Sequence, residues 1–150
     1  MMRYALLLLL VGCADDPAPR VTVISATPDH VDPADDAADD VSIRVDYEDD
    51  DGDLGGGIAE IHDCRDEVLV TKLEIPAIAN DERIGSHIQG SLDLFLTDVG
   101  AVTSTSVAAT CADFGISTLA TGTTAFCVVL VDAADHAGPG DCTVPIAIAP

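Results

Sequence analysis

Tryptophan is absent, and two tyrosines and three phenylalanines are the only aromatic rings in 150 residues. Few flat apolar faces are on offer for stacking nucleobases or sugar rings. Positive charge is as scarce, with six Lys and Arg against 27 acids and a net charge of −21. Every basic residue precedes position 84. Such a chain is repelled by phosphate backbones and anionic headgroups, which excludes nucleic-acid binding. No apolar run approaches the about 20 residues of a membrane-spanning helix, and the N-terminal one, Ala5 to Val11, has seven. Cys-x-x-Cys, His-x-His and Gly-x-Ser-x-Gly are all missing. Zinc-ribbon, thioredoxin-like and serine-hydrolase readings therefore have no support.

What the N-terminus does contain is a charged start, Met1 to Arg3, followed by the short apolar run and then Leu10-Val11-Gly12-Cys13. Length and flanks fit the h-region of a signal peptide. The four-residue box resembles the lipobox of bacterial lipoproteins, in which a small residue precedes the modified cysteine. The resemblance implies cleavage before Cys13, a diacylglycerol on its thiol and an acyl (palmitate-type) chain on the new terminus. Two or three chains, at about 0.8 kcal/mol per buried methylene, hold a protein durably at a bilayer. Residue +2 is Ala14 and not aspartate. By the sorting rule of such lipoproteins this implies the outer membrane of a bacterial cell envelope. Residues 1–12 are thus expected to be the signal peptide, 13–19 a lipid-attached Pro/Asp tether, and 20–150 one domain. Loss of Arg3 takes the net charge of −21 to about −22.

With Cys13 assigned to lipid, Cys64, Cys111, Cys127 and Cys142 remain, an even set that predicts two disulfides in an exported domain. Three connectivities are open. Antiparallel pairing of the segments starting at Ile58 and Phe126 would bring Cys64 near Cys127 and Cys111. It gives no partner preference to Cys142, placed at the start of the last strand at the opposite end.

The rest of the chain has the period of strands. Arg20 to Ala26 is strand-like and stops at Pro28. Asp29 to Asp40 holds six aspartates among Ala and Pro and predicts a solvated spacer that does not pack. In Val41 to Glu48, Val41, Ile43, Val45 and Tyr47 alternate with Ser42, Arg44, Asp46 and Glu48, as in a half-buried strand. Asp49 to Gly57 is a turn, and Ile58 to Cys64 the next strand. Val68 to Ile75 is β-branched and apolar, and a polar loop follows from Asn80 to Gly85. His87 to Val99 puts Ile88, Leu92, Leu94 and Leu96 on one face. Phe126 to Val131 is apolar on both faces, as a central strand would be. Asp132 to Asp141 reads as a turn-rich loop, and Val144 to Ile148 as a last strand, made an edge or bulge by Pro145. Only Val107, Cys111 and Phe114 have helical spacing, enough for one short helix. About seven short strands between Gly/Pro/Asp turns predict an all-β domain, an antiparallel β-sandwich in preference to a closed barrel.

Two fragments, VSIRVDYEDDDGDLGGGIAEI (41–61) and FCVVLVDAADHAGPGDCTVPIAI (126–148), resemble the immunoglobulin-like sandwiches of bacterial surface proteins in the loose cadherin/PKD-like sense. The Cys…Trp…Cys core of antibody domains is not present.

Asp49-Asp50-Asp51-Gly52-Asp53 is the sharpest polar cluster. Carboxylates on one side of a tight turn suit a hard cation that takes six to eight oxygens, which makes Asp49, Asp51 and Asp53 candidate Ca²⁺ ligands. Counting from Asp49, Glu60 falls at position 12, where an EF-hand has its bidentate acid, and is included. Position 6 is Leu54 instead of glycine and no helices flank the loop, so an EF-hand is rejected. Asp132 and Asp135 are further candidates to join, since loops cluster at the ends of a sandwich. The same run also reads as a plain solvated acidic turn. His30, His62, His87 and His136 are singletons, expected to be surface residues and not a metal centre of the superoxide-dismutase kind. In His62-Asp63-Cys64, strand alternation puts Asp63 on the other face from its neighbours, and Cys64 is expected in a disulfide. No catalytic residues are assigned.

Two functions remain in view. One is a membrane-anchored binding or structural module, with a protein or surface polymer as partner and no enzymatic activity. The other is a small exported hydrolase or metal-dependent enzyme, which a deep pocket with convergent polar groups would favour.

Overall fold

Alternation along one strand organises the molecule: Val41, Ile43, Val45, Tyr47 and Asp49 point inward and are buried, while Arg44, Asp46 and Glu48 are exposed. The computed structural model describes residues 17–35, 39–65, 70–78, 87–100 and 109–149. Cys13 and the signal segment, the start of the strand expected at Val68, the loop from Asn80 to Gly85, and Val107 lie outside them.

In chain order the elements are β1 (Arg20–Thr27), β2 (His30–Val31), β3 (Val41–Asp49), β4 (Ile58–Asp63), β5 (Val70–Glu74), β6 (Ile88–Leu96), α1 (Ala109–Asp113), β7 (Thr123–Thr124), β8 (Phe126–Val131), β9 (Asp141–Cys142) and β10 (Ile146–Ile148). The fold is all-β apart from the short helix, which lies where Cys111 and Phe114 predicted one. Among the described residues ten strands stand in place of about seven. The additions, β2, β7 and β9, have two residues each, too few to leave a periodic trace in the sequence.

The strands form three sheets: β1-β3-β6, β5-β4-β8-β9 and β2-β10-β7. All pairings are antiparallel except β2 with β10. Side chains of the first two sheets meet in one core, with Ile43, Val45 and Leu94 from one and Ile61, Phe126, Val128 and Leu130 from the other. Burying each contributes about 1.5–3 kcal/mol. On the outer face of the first sheet, β3–β6 register sets Arg44 opposite Asp93, an ion pair at 3.1 Å, and Asp46 opposite Ser91, whose hydroxyl donates at 2.6 Å.

Strand β8 is buried on both faces for two different reasons. Phe126, Val128 and Leu130 enter the main core, whereas Cys127 joins Cys64, Cys111 and Ala125 in a second cluster covered by Phe114, Ile116 and Leu119. The segment around α1 thus roofs the outer face of the β4–β8 pair.

The spacer expected between Asp29 and Asp40 packs at two of its described residues, Val31 and Asp39. Val31 is fully buried, and the Ala147 and Ala149 amides donate to the carbonyls of Asp29 and Val31, both at 2.9 Å. One β-branched side chain and a short ladder outweigh the local acidity. Asp39, 9% exposed, accepts the Val99 amide on its carbonyl at 2.9 Å.

Candidate metal centre

The inward parity that buries Val45 and Tyr47 carries one step further to Asp49, which is 1% exposed. A carboxylate in that position needs donors. Its Oδ2 accepts the Leu54 amide at 2.8 Å, closing a loop that turns through Gly52 at φ 80°. Leu54 is itself fully buried and anchors the loop in the core. Its carbonyl accepts the Gly57 amide at 3.0 Å. Gly57 passes so close to the end of β8 that a Cβ there would stand 2.1 Å from the Val131 carbonyl oxygen.

Pinned in this way, the loop gathers Asp49, Asp51 and Asp53, one carboxylate oxygen of each within 4.8 Å of the others. The Oδ1 atoms of all three are buried and accept no hydrogen bond. Asp50 points the opposite way, half exposed, to Arg20 at 3.0 Å and His87 at 2.9 Å.

The β8–β9 loop supplies a fourth acid. Asp132 is 2% exposed. Its Oδ1 accepts the amides of Ala134 at 2.9 Å and His136 at 2.8 Å, and its Oδ2 stands 3.3 Å from His136 Nδ1. The Ala133 amide donates to the Asp53 carbonyl at 3.2 Å, which ties the two loops together. Burial first, then the charges of Asp132, Asp51 and Asp49, push the Asp53 carboxyl up to about 6. Among the described residues no Lys or Arg pairs with Asp49, Asp51, Asp53 or Asp132.

Of the expected ligands, Glu60 is not brought to this site. It lies on β4, where alternation turns it away from buried Ala59 and Ile61. There it holds Lys72 Nζ at 2.5 Å and stands 3.9 Å from His62. Position 12 has meaning only when a helix follows the loop; here a strand follows. Asp135 is exposed, at φ 69°, while its neighbour Asp132 turns inward. The histidines stay apart, and among the described residues none joins a metal-ligand cluster.

The disulfides close the opposite end of the β4–β8 pair. Cys64 is bonded to Cys111 at 2.05 Å and Cys127 to Cys142 at 2.04 Å. Cys64 and Cys127 do lie near each other, with their sulfurs 3.6 Å apart. Cys142 is not at the other end as expected, because the stretch before it already folds back along β8. Val131 bridges Ala137, and the Gly138 amide donates to the Leu130 carbonyl at 3.0 Å. The chain has thus retraced β8 by the time it places Cys142 opposite Cys127.

Two features escaped sequence reasoning. Asp63 and Arg65 form a buried ion pair, which Thr124 Oγ1 completes by donating to Asp63 at 2.8 Å. The inward parity of Ala59 and Ile61 was the available signal for Asp63. An open depression of about 700 Å³ over the β1-β3-β6 sheet is lined in part by Arg20, Asp46, Glu48 and Ser91. Those groups are engaged with one another, Arg20 with Glu48 at 3.5 Å and Ser91 with Asp46. No family model, no curated protein and no solved structure matches this chain.

Proposed function

We propose that the chain is a lipoprotein of a bacterial cell envelope: an immunoglobulin-like β-sandwich acylated at Cys13, displayed on residues 13–19 outside the cytoplasm, and acting as a binding or structural module without catalysis. The observation that carries this reading is the pairing of all four cysteines that remain after Cys13 into two disulfides, three of the four sulfurs fully buried. Structural disulfides belong to oxidising compartments. Two larger sheets sharing one core fit a sandwich. Strands β5 and β6 lie at sheet edges, and an edge can add a strand from a partner protein. Against catalysis, the charged groups lining the open depression are already engaged, Arg20 with Glu48 and Asp46 with Ser91. Outer-membrane residence follows from Ala14 after the lipidated cysteine.

Intact-mass measurement on protein extracted from the membrane fraction tests this. The expected species starts at Cys13, carries a diacylglyceryl and an acyl group, and has no free thiol. A chain that starts at Met1 with an unmodified Cys13 would overturn it.

A further inference from the structure

We infer that Asp49, Asp51 and Asp53 bind one Ca²⁺ ion at the end of the fold opposite the disulfides, with Asp132 as the second-loop acid that faces it. Such a site does not depend on acylation of Cys13.

The donor set consists of oxygens alone, which selects a hard cation over zinc or copper. Calcium binds oxygen at about 2.4 Å, so two of its ligands are at most about 4.8 Å apart. The three carboxylate oxygens lie within 4.8 Å of one another, so no pair of them is too far apart to share one such shell. Three direct carboxylates in an irregular loop suit calcium better than magnesium, which demands near-octahedral geometry and keeps several waters.

Acidity alone would not carry this. An acidic turn that merely solvates its charge points outward, as Asp50 does toward Arg20 and His87. Asp49 does the reverse. It is 1% exposed, one of its oxygens is held by the Leu54 amide, and the other is aimed into the cluster with no donor. A buried carboxylate oxygen without a partner is costly, and the buried Oδ1 atoms of Asp51 and Asp53 beside it repeat the problem. A single divalent ion would satisfy all three at once. Asp132 has spent Oδ1 on two loop amides and turns Oδ2 to His136, so it enters as a neighbouring charge and as the brace of the second loop.

The test is equilibrium dialysis of the detergent-purified full chain, disulfides intact, against radioactive Ca²⁺, with melting curves in CaCl₂ and MgCl₂ at matched ionic strength. One saturable site is expected, with a dissociation constant of about 10⁻⁴ to 10⁻³ M as in extracellular modules, together with a larger rise in melting temperature from Ca²⁺ than from Mg²⁺. Asp51→Asn with Asp53→Asn, partly exposed positions whose change leaves the Asp49–Leu54 bond in place, should abolish both effects in a folded protein. Asp50→Asn should leave both intact. Absence of saturable uptake, equal shifts from the two ions, or binding that survives the double substitution would each overturn the assignment.

Discussion

Replacing Cys64 and Cys111 together by alanine opens a loop of 47 residues, whereas replacing Cys127 and Cys142 opens one of 15. Chain-entropy reasoning assigns about 4 kcal/mol to the first cross-link and about 3 kcal/mol to the second, by confinement of the unfolded chain. Burial widens the gap. Cys64 and Cys111 are both fully enclosed in the second cluster, so their truncation also leaves unfilled space, while Cys142 is only half-buried. Each kcal/mol is worth about 3–5 °C of melting temperature in a domain of this size. The longer-loop variant should therefore melt roughly 12–20 °C below the parent and the shorter-loop variant roughly 9–15 °C below. Urea unfolding followed by circular dichroism measures both, and the slope against urea should rise in each variant as the unfolded chain expands. Two double variants within about 0.5 kcal/mol of the parent, or a shorter loop that matters more than the longer one, would refute the reasoning. Peptide mapping that joined Cys64 to Cys127 would refute the connectivity beneath it.

Cys13→Ala should move the protein out of the membrane fraction and abolish incorporation of a labelled fatty acid; label retained by the variant would contradict acylation at that thiol. Without divalent cations, the raised Asp53 pKa makes the folded state hold a proton that the unfolded chain has released. Stability should then be greatest below the ordinary value of 3.8 as far as this group is concerned, and fall as pH rises through about 6. Chemical denaturation in EDTA at pH 5 and pH 7 reads this, and Asp53→Asn should flatten the difference. Gly57→Ala drives a methyl into the Val131 carbonyl at 2.1 Å and should cost roughly 2–3 kcal/mol, whereas Gly100→Ala, with nothing within 4 Å of its Cβ, should change stability little. Arg65→Met leaves Asp63 as an uncompensated buried charge and should cost roughly 3–5 kcal/mol in urea unfolding.

Strands long enough to show a period were legible in the sequence. Val41 to Tyr47 and Ile88 to Leu96 alternate cleanly, and both lie where alternation puts them. Extending the same count by one step would have shown that Asp49 is an interior residue, and by the same logic Asp63. Illegible were the pieces fixed by tertiary partners: His30–Val31 pairs only because residues 147 and 148 arrive beside it, and Asp141–Cys142 only because its hairpin retraces β8. The acidic loop was recognisable by composition, but its ligand set was not. Counting along a helical template placed Glu60 in it, and the strand that follows takes Glu60 out.

The parallel contact between β2 and β10 sets an order on synthesis. Val31 lies beside Ile148 and is fully buried there, yet at a translation rate of about 5–20 residues per second the partner emerges on the order of ten seconds later. Until then the aspartate-rich stretch around Val31 has neither its ladder nor its cover. β10 also holds β7, through Ile146 opposite Thr124, so a stop codon before Ile146 would remove β10 and leave two strands, β2 and β7, without their partner. Closure of the small β2-β10-β7 sheet therefore waits until the segment around Ile146 has left the ribosome, whereas the strands of the two larger sheets have their partners before it.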